Sequence, residues 1–166
     1  MPLLKPLFIT LTTIFLTFTP VLAESLDYYF PDNQNFQQNI TPPDQFIGYQ
    51  VGEFHARHDQ LINYMRYIAS ASDRAMLIEM GVSWEKRPQV LLVISDPENI
   101  KALQAKIDAG EDFKSDNTKL TVWLGYSIHG NEPSGANASL LSSYYFSSLI
   151  SADHEAVLKD TYILIE

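Results

Sequence analysis

The sequence predicts an α/β protein, a mixed β-sheet with flanking helices. Three observations carry that expectation. Short β-type runs at 75–80, 89–94, 119–125 and 161–166 alternate with stretches of helical spacing at 53–72, 96–109 and 132–150. The first two runs lie close enough to form an antiparallel hairpin with a long turn. The last, Thr161-Tyr-Ile-Leu-Ile-Glu166, is apolar without alternation, the pattern of a strand buried on both faces in a parallel part of a sheet. With 166 residues and 46% hydrophobic side chains, the chain can bury one core.

The N-terminus reads as an export signal. Lys5 gives a positive start, 7–18 is apolar but short for a bilayer span, and Val21-Leu22-Ala23 supplies the small residues of a cleavage site. The expectation is cleavage after Ala23 and a secreted or periplasmic protein with no membrane anchor. That leaves 24–52 as an extended lead-in and 53–166 as the main folded unit. With Cys 0 there is no disulfide framework, no lipid-modified cysteine, no thiolate metal site and no cysteine nucleophile. Any metal must be held by His, Asp or Glu. A net charge of -9 without a basic stripe excludes nucleic acid as a partner.

The lead-in is rich in Asn, Gln, Pro and Asp, and its rings (Tyr28, Tyr29, Phe30, Phe36, Phe46, Tyr49) are suited to docking it on a domain surface. Across 53–72, Leu61, Ile62, Met65, Ile68 and Ala69 recur on one helical face. His55 and His58, three apart near its start, form a conceivable metal pair. A solvated helix face with one histidine packed against the lead-in is favoured, because no carboxylate constellation accompanies them. Asp96-Pro97-Glu98 starts the next helix with a capping acid, a proline at the first position and an early acid facing the helix dipole. That helix runs to about Ala109 and stops at Gly110. A polar loop is expected at 111–118. In 132–150, Leu140, Leu141, Tyr144, Phe146 and Leu149 read as core. The sequon Asn137-Ala138-Ser139 falls inside this helix and is discounted as a glycosylation site. His154, in the turn beyond, sits at the wrong end of the helix to join a site at its start.

The chemistry is concentrated between the third β-type run and the third helix. His129-Gly130-Asn131-Glu132 offers an imidazole and a carboxylate, both ordinary zinc ligands, and a catalytic zinc takes three protein groups with one position left for water. Gly130 is expected to open a backbone conformation closed to other residues, so that both side chains turn to one point. Pro133 suits the first helical turn, which places Glu132 at the helix N-terminus. Open α/β sheets bind ligands beyond the carboxyl ends of their strands. A short His-x-x-Glu pattern alone is also compatible with a hydrogen-bonded loop in which both residues merely cap the helix.

The surrounding residues add a resemblance. Gly125-Tyr-Ser-Ile-His-Gly-Asn-Glu-Pro-Ser-Gly135 resembles the first zinc-binding segment of the M14 zinc carboxypeptidases, in which the His and Glu of His-x-x-Glu are the first two metal ligands. Upstream, Gly81-Val-Ser-Trp-Glu-Lys-Arg-Pro88 is similar to that family's Gly-x-Ser-x-x-Gly-Arg-Pro segment, with Lys86 in place of the glycine. The resemblance implies a zinc-carboxypeptidase-like fold, a Zn2+ cofactor held by His129 and Glu132, and an Arg87 that lines the cleft for a peptide or cell-wall peptide. It covers 53–166, roughly the first third of a catalytic domain of this kind. It also implies that the third ligand and the catalytic glutamate lie downstream of Glu166. On that reading the domain is incomplete at the C-terminus, the fragment is inactive alone, and the strand at 161–166 lacks a neighbour. Two rival functions follow from the same residues. One is an aspartoacylase or succinylglutamate-desuccinylase type zinc amidohydrolase, which shares this style of loop, and the other is a non-catalytic truncated binding module.

Overall fold

A computed structural model describes residues 23–30, 34–111 and 118–166. The expected signal peptide up to Leu22 and most of the expected 111–118 loop lie outside the described residues. In chain order the elements are α1 (Leu26–Tyr29), β1 (Asn35–Phe36), α2 (Pro43–Ile47), α3 (His58–Ala71), β2 (Ala75–Val82), β3 (Pro88–Ile94), α4 (Pro97–Asp108), β4 (Leu120–Leu124), α5 (Pro133–Ser148), β5 (Leu149–Ile150), α6 (Ala152–Lys159) and β6 (Thr161–Ile165).

The main sheet has the order β2-β3-β6-β4. β2 and β3 form the expected antiparallel hairpin, with an irregularity between Glu79 and Gly81. β3 meets β6 antiparallel, and β4 runs parallel to β6 from Leu120 opposite Thr161 to Leu124 opposite Ile165. The sheet is therefore mixed, and β6 lies in its interior. All five β6 residues are buried. Ile163 and Ile165 join the cluster under α3 and α5, while Tyr162 and Leu164 join the opposite one with Ile100 and Leu103 of α4. Full burial of each aliphatic side chain contributes about 1.5–3 kcal/mol, which is why an unbroken apolar run suits this position. β6 has a partner on both sides, so the strand expected to lack a neighbour does not. Among the described residues the edge strands are β2 and β4, and on β4 Leu120 and Trp123 are exposed.

Four boundaries differ from the sequence expectation, each for a local reason. α3 begins at His58 and not near Glu53, because Val51 and Phe54 form a β-bridge and Ala56 is buried in an extended stretch. Gln60 then accepts the Arg57 N–H at 3.1 Å and closes the helix start. The helix at 132–150 ends at Ser148, since Leu149 and Ile150 leave it to pair with Phe36 and Asn35. His154 lies within the short helix α6, started by the Ser151 hydroxyl accepting the His154 N–H, and not in a turn. The stretch 24–52 contains two short helices and a strand, and its Ile40 and Val51 belong to the main core. α4 follows expectation: Asp96 accepts the Glu98 N–H at 3.0 Å and Gly110 takes φ 70.

Candidate metal centre

Everything that positions His129 and Glu132 can be traced from β4 outward. The β4–β6 ladder continues one step past the strands, with Glu166 N–H donating to Leu124 O at 3.1 Å and Tyr126 N–H to Glu166 O at 3.0 Å. The chain then turns, and Glu132 N–H donates to the His129 carbonyl at 3.0 Å. This turn swings the two side chains together, with His129 Nδ1 3.1 Å from Glu132 Oε1. Both are exposed, at 68% and 62% of the side chain, so neither is committed to the core. Glu132 is the N-cap position of α5, with Pro133 next and no side-chain capping bond, which leaves its carboxylate available. The helix-cap role for this pair is thus not what the residues adopt.

The conformational work falls on different residues than expected. Gly130 is not among the residues with positive φ; Ser127 is, at φ 56. Gly135 is the glycine the loop requires. A Cβ there would stand 2.6 Å from Ser127 N, so the first turn of α5 rests directly on the loop backbone. The Ser83-to-Arg87 turn uses the same left-handed device. Lys86 has φ 62, Lys86 N–H donates to Ser83 O at 2.9 Å, and Ser83 N–H donates to Arg87 O at 2.8 Å. Lysine in the left-handed region costs on the order of 1–2 kcal/mol, a cost glycine escapes at that position.

A cavity of about 910 Å³ opens between this turn, the start of α3 and the loop bearing His129 and Glu132; Arg87, Arg57, His58, Tyr126, Gly130 and Glu166 are among its lining residues. Arg87 lines this cavity and is paired with Glu85 at 2.9 Å. Arg57 pairs with Asp59 at 2.9 Å; the hydrogen bond between them holds the Asp59 carboxyl below its ordinary value and raises the Arg57 guanidinium. His55 is exposed and precedes the helix, so it is not on a helix face, and His58 donates from Nε2 to Pro88 O at 3.0 Å. The two are not brought together as a ligand pair. Among the described residues no group of three or more His, Asp or Glu side chains could hold a metal ion. The imidazole and carboxylate of His129 and Glu132 fit two positions of a zinc site in chemistry and accessibility.

These features define a class: an α/β protein whose polar chemistry sits beyond the carboxyl end of a parallel strand. The family sequence model described as zinc carboxypeptidase, Peptidase_M14, matches residues 61–166, more than half of the chain. The chain belongs to the zinc carboxypeptidase family. No curated protein matches the sequence. Solved structures similar to it include thrombin activatable fibrinolysis inhibitor, at 19% identity and TM-score 0.46 over 69% of this chain and 25% of that one. Another is carboxypeptidase A from Helicoverpa armigera, at 16% identity and TM-score 0.49 over 74% of this chain and 29% of that one. The chain spans about a quarter to three tenths of the length of these two structures.

Proposed function

We propose that the chain supplies the first two zinc ligands, His129 and Glu132, of an exported metallocarboxypeptidase that releases C-terminal residues from peptides or cell-wall peptides. The observation that carries the proposal is the 3.1 Å approach of His129 Nδ1 to Glu132 Oε1 in an exposed turn inside the segment matched by the family. A bound zinc ion would supply Lewis-acid polarisation of the scissile carbonyl and activation of water. Within this chain, His129 offers a ring nitrogen and Glu132 a side-chain oxygen. The turn closed by Glu132 N–H and the backing of Gly135 hold both against one point.

Arg87 is assigned to substrate. Its exposed pair with Glu85 is of the kind worth about 0–1 kcal/mol, so a substrate carboxylate or carbonyl can displace Glu85 at little cost. The third ligand and the glutamate that moves the proton are assigned to chain beyond Glu166, which makes 166 residues alone a weak zinc binder without turnover. The test compares residues 24–166 with the chain extended through its natural reading frame, measuring zinc content and release of C-terminal residues from a peptide mixture. The proposal expects one firmly held zinc and chelator-sensitive release from the longer chain only. Turnover by the short chain, or a longer chain that binds no zinc, would overturn it.

A further inference from the structure

We infer that Asn137 is a positioning residue that fixes the His55–Arg57 wall of the cavity to the helix carrying Glu132, an inference that rests on the function proposed above. Asn137 is the sequon asparagine, and both polar atoms of its side chain are engaged. Oδ1 accepts the Ala56 N–H at 3.1 Å and Nδ2 donates to the Phe54 carbonyl at 3.2 Å. The amide thus does for 54–56 what a neighbouring strand would do, pairing one donor and one acceptor of the same stretch. The stretch needs this because Ala56 is buried, at 1% exposure, outside any helix or strand, and a buried N–H without a partner is costly.

Position gives the contact its consequence. Asn137 lies in the second turn of α5, whose start is fixed by Glu132, Pro133 and the packing of Gly135 on Ser127. His55, Ala56 and Arg57 line the same cavity as Gly130 and Arg87. One helix therefore sets both the metal loop and, through Asn137, the facing wall. Asn137 is the side chain that ties the residues just before Arg57 directly to the helix carrying Glu132. A residue with this role acts on substrate placement and leaves the metal ligands alone.

The test uses Asn137→Leu, which keeps the number of side-chain heavy atoms and removes both bonds, and Asn137→Asp, which keeps the acceptor for Ala56. Amide exchange should rise roughly tenfold or more at Ala56 in Asn137→Leu, with the β6 amides unchanged and Ala56 protection largely restored in Asn137→Asp. In the protein at its natural length, Asn137→Leu should raise KM for a C-terminally free peptide while kcat and zinc content hold. Unchanged exchange at Ala56, an equal rise in β6, or a fall in kcat at constant KM would overturn the inference. Absence of zinc and turnover in the unsubstituted protein would instead count against the proposed function, and the Ala56 exchange result would still decide the clamp.

Discussion

Two groups of polar side chains at opposite ends of α5 are built on opposite rules. At its far end, Arg74 is buried and donates to Leu149 O at 2.7 Å and to Glu155 Oε1 at 3.0 Å, while His154 donates to Phe146 O at 2.9 Å. These contacts tie the turn before β2 to β5 and α6, and α6 to α5; Arg74 and His154 are buried, while Glu155 stays half exposed. At the near end, His129 and Glu132 touch each other, are mostly exposed, and join nothing distant. Charged groups that hold a fold have their capacity taken up by the protein; groups that hold a ligand leave lone pairs open. The two ends differ in whether the fold has taken up the bonding capacity of the side chains.

Substitutions at the two ends should therefore break different things. The largest loss of stability is expected for Arg74→Ala, about 2–3 kcal/mol in urea unfolding, because Leu149 O is left buried and unpaired. Gly135→Ala comes next, at about 1–3 kcal/mol, since its Cβ would meet the Ser127 backbone at 2.6 Å. Gly135→Ala should also loosen the loop bearing His129 and Glu132, whereas Arg74→Ala should not. His154 gives a pH signature. Burial, first of all, and the nearby Arg74 hold its imidazole below the ordinary 6.5. The folded protein thus resists protonation more than the unfolded chain does. Its contribution is fully present above about pH 6.5 and is lost as pH falls through the lowered folded value. The fall in Tm below pH 6.5 should flatten in His154→Gln. The smallest effect belongs to Lys86→Gly, a gain of a few tenths to about 1 kcal/mol, where relief of the left-handed backbone is partly offset by the freedom glycine adds to the unfolded chain.

Much of this organisation was legible in the sequence wherever one local pattern decided the outcome. The unbroken apolar run of β6, the Asp96-Pro97 helix start and the Pro133 junction each depend on neighbours in the chain, and each appears where the pattern placed it. The class of fold and the loop bearing His129 and Glu132 followed from those. Contacts across the molecule were not legible. The β-bridge at Val51 delays α3. Pairing with β1 ends α5 at Ser148. Asn137, dismissed as a sequon, bonds to residues 81 and 83 positions away. Spacing points to Gly130 for the turn, but the demand comes from α5 packing on Ser127 and so falls on Gly135. A glycine's purpose can depend on what lies over it, which spacing does not encode.

On the function proposed above, the exposed side chains of His129 and Glu132 hold a metal. Zinc titration followed through the histidine ring signals, with unfolding measured in parallel, tests it most directly. The account predicts that His129 responds first among the four histidines. It also predicts that His129→Ala and Glu132→Ala each remove that binding while shifting stability by no more than about 0.5 kcal/mol. Zinc bound undiminished in either variant, or a loss of stability comparable to that of Arg74→Ala, would contradict it.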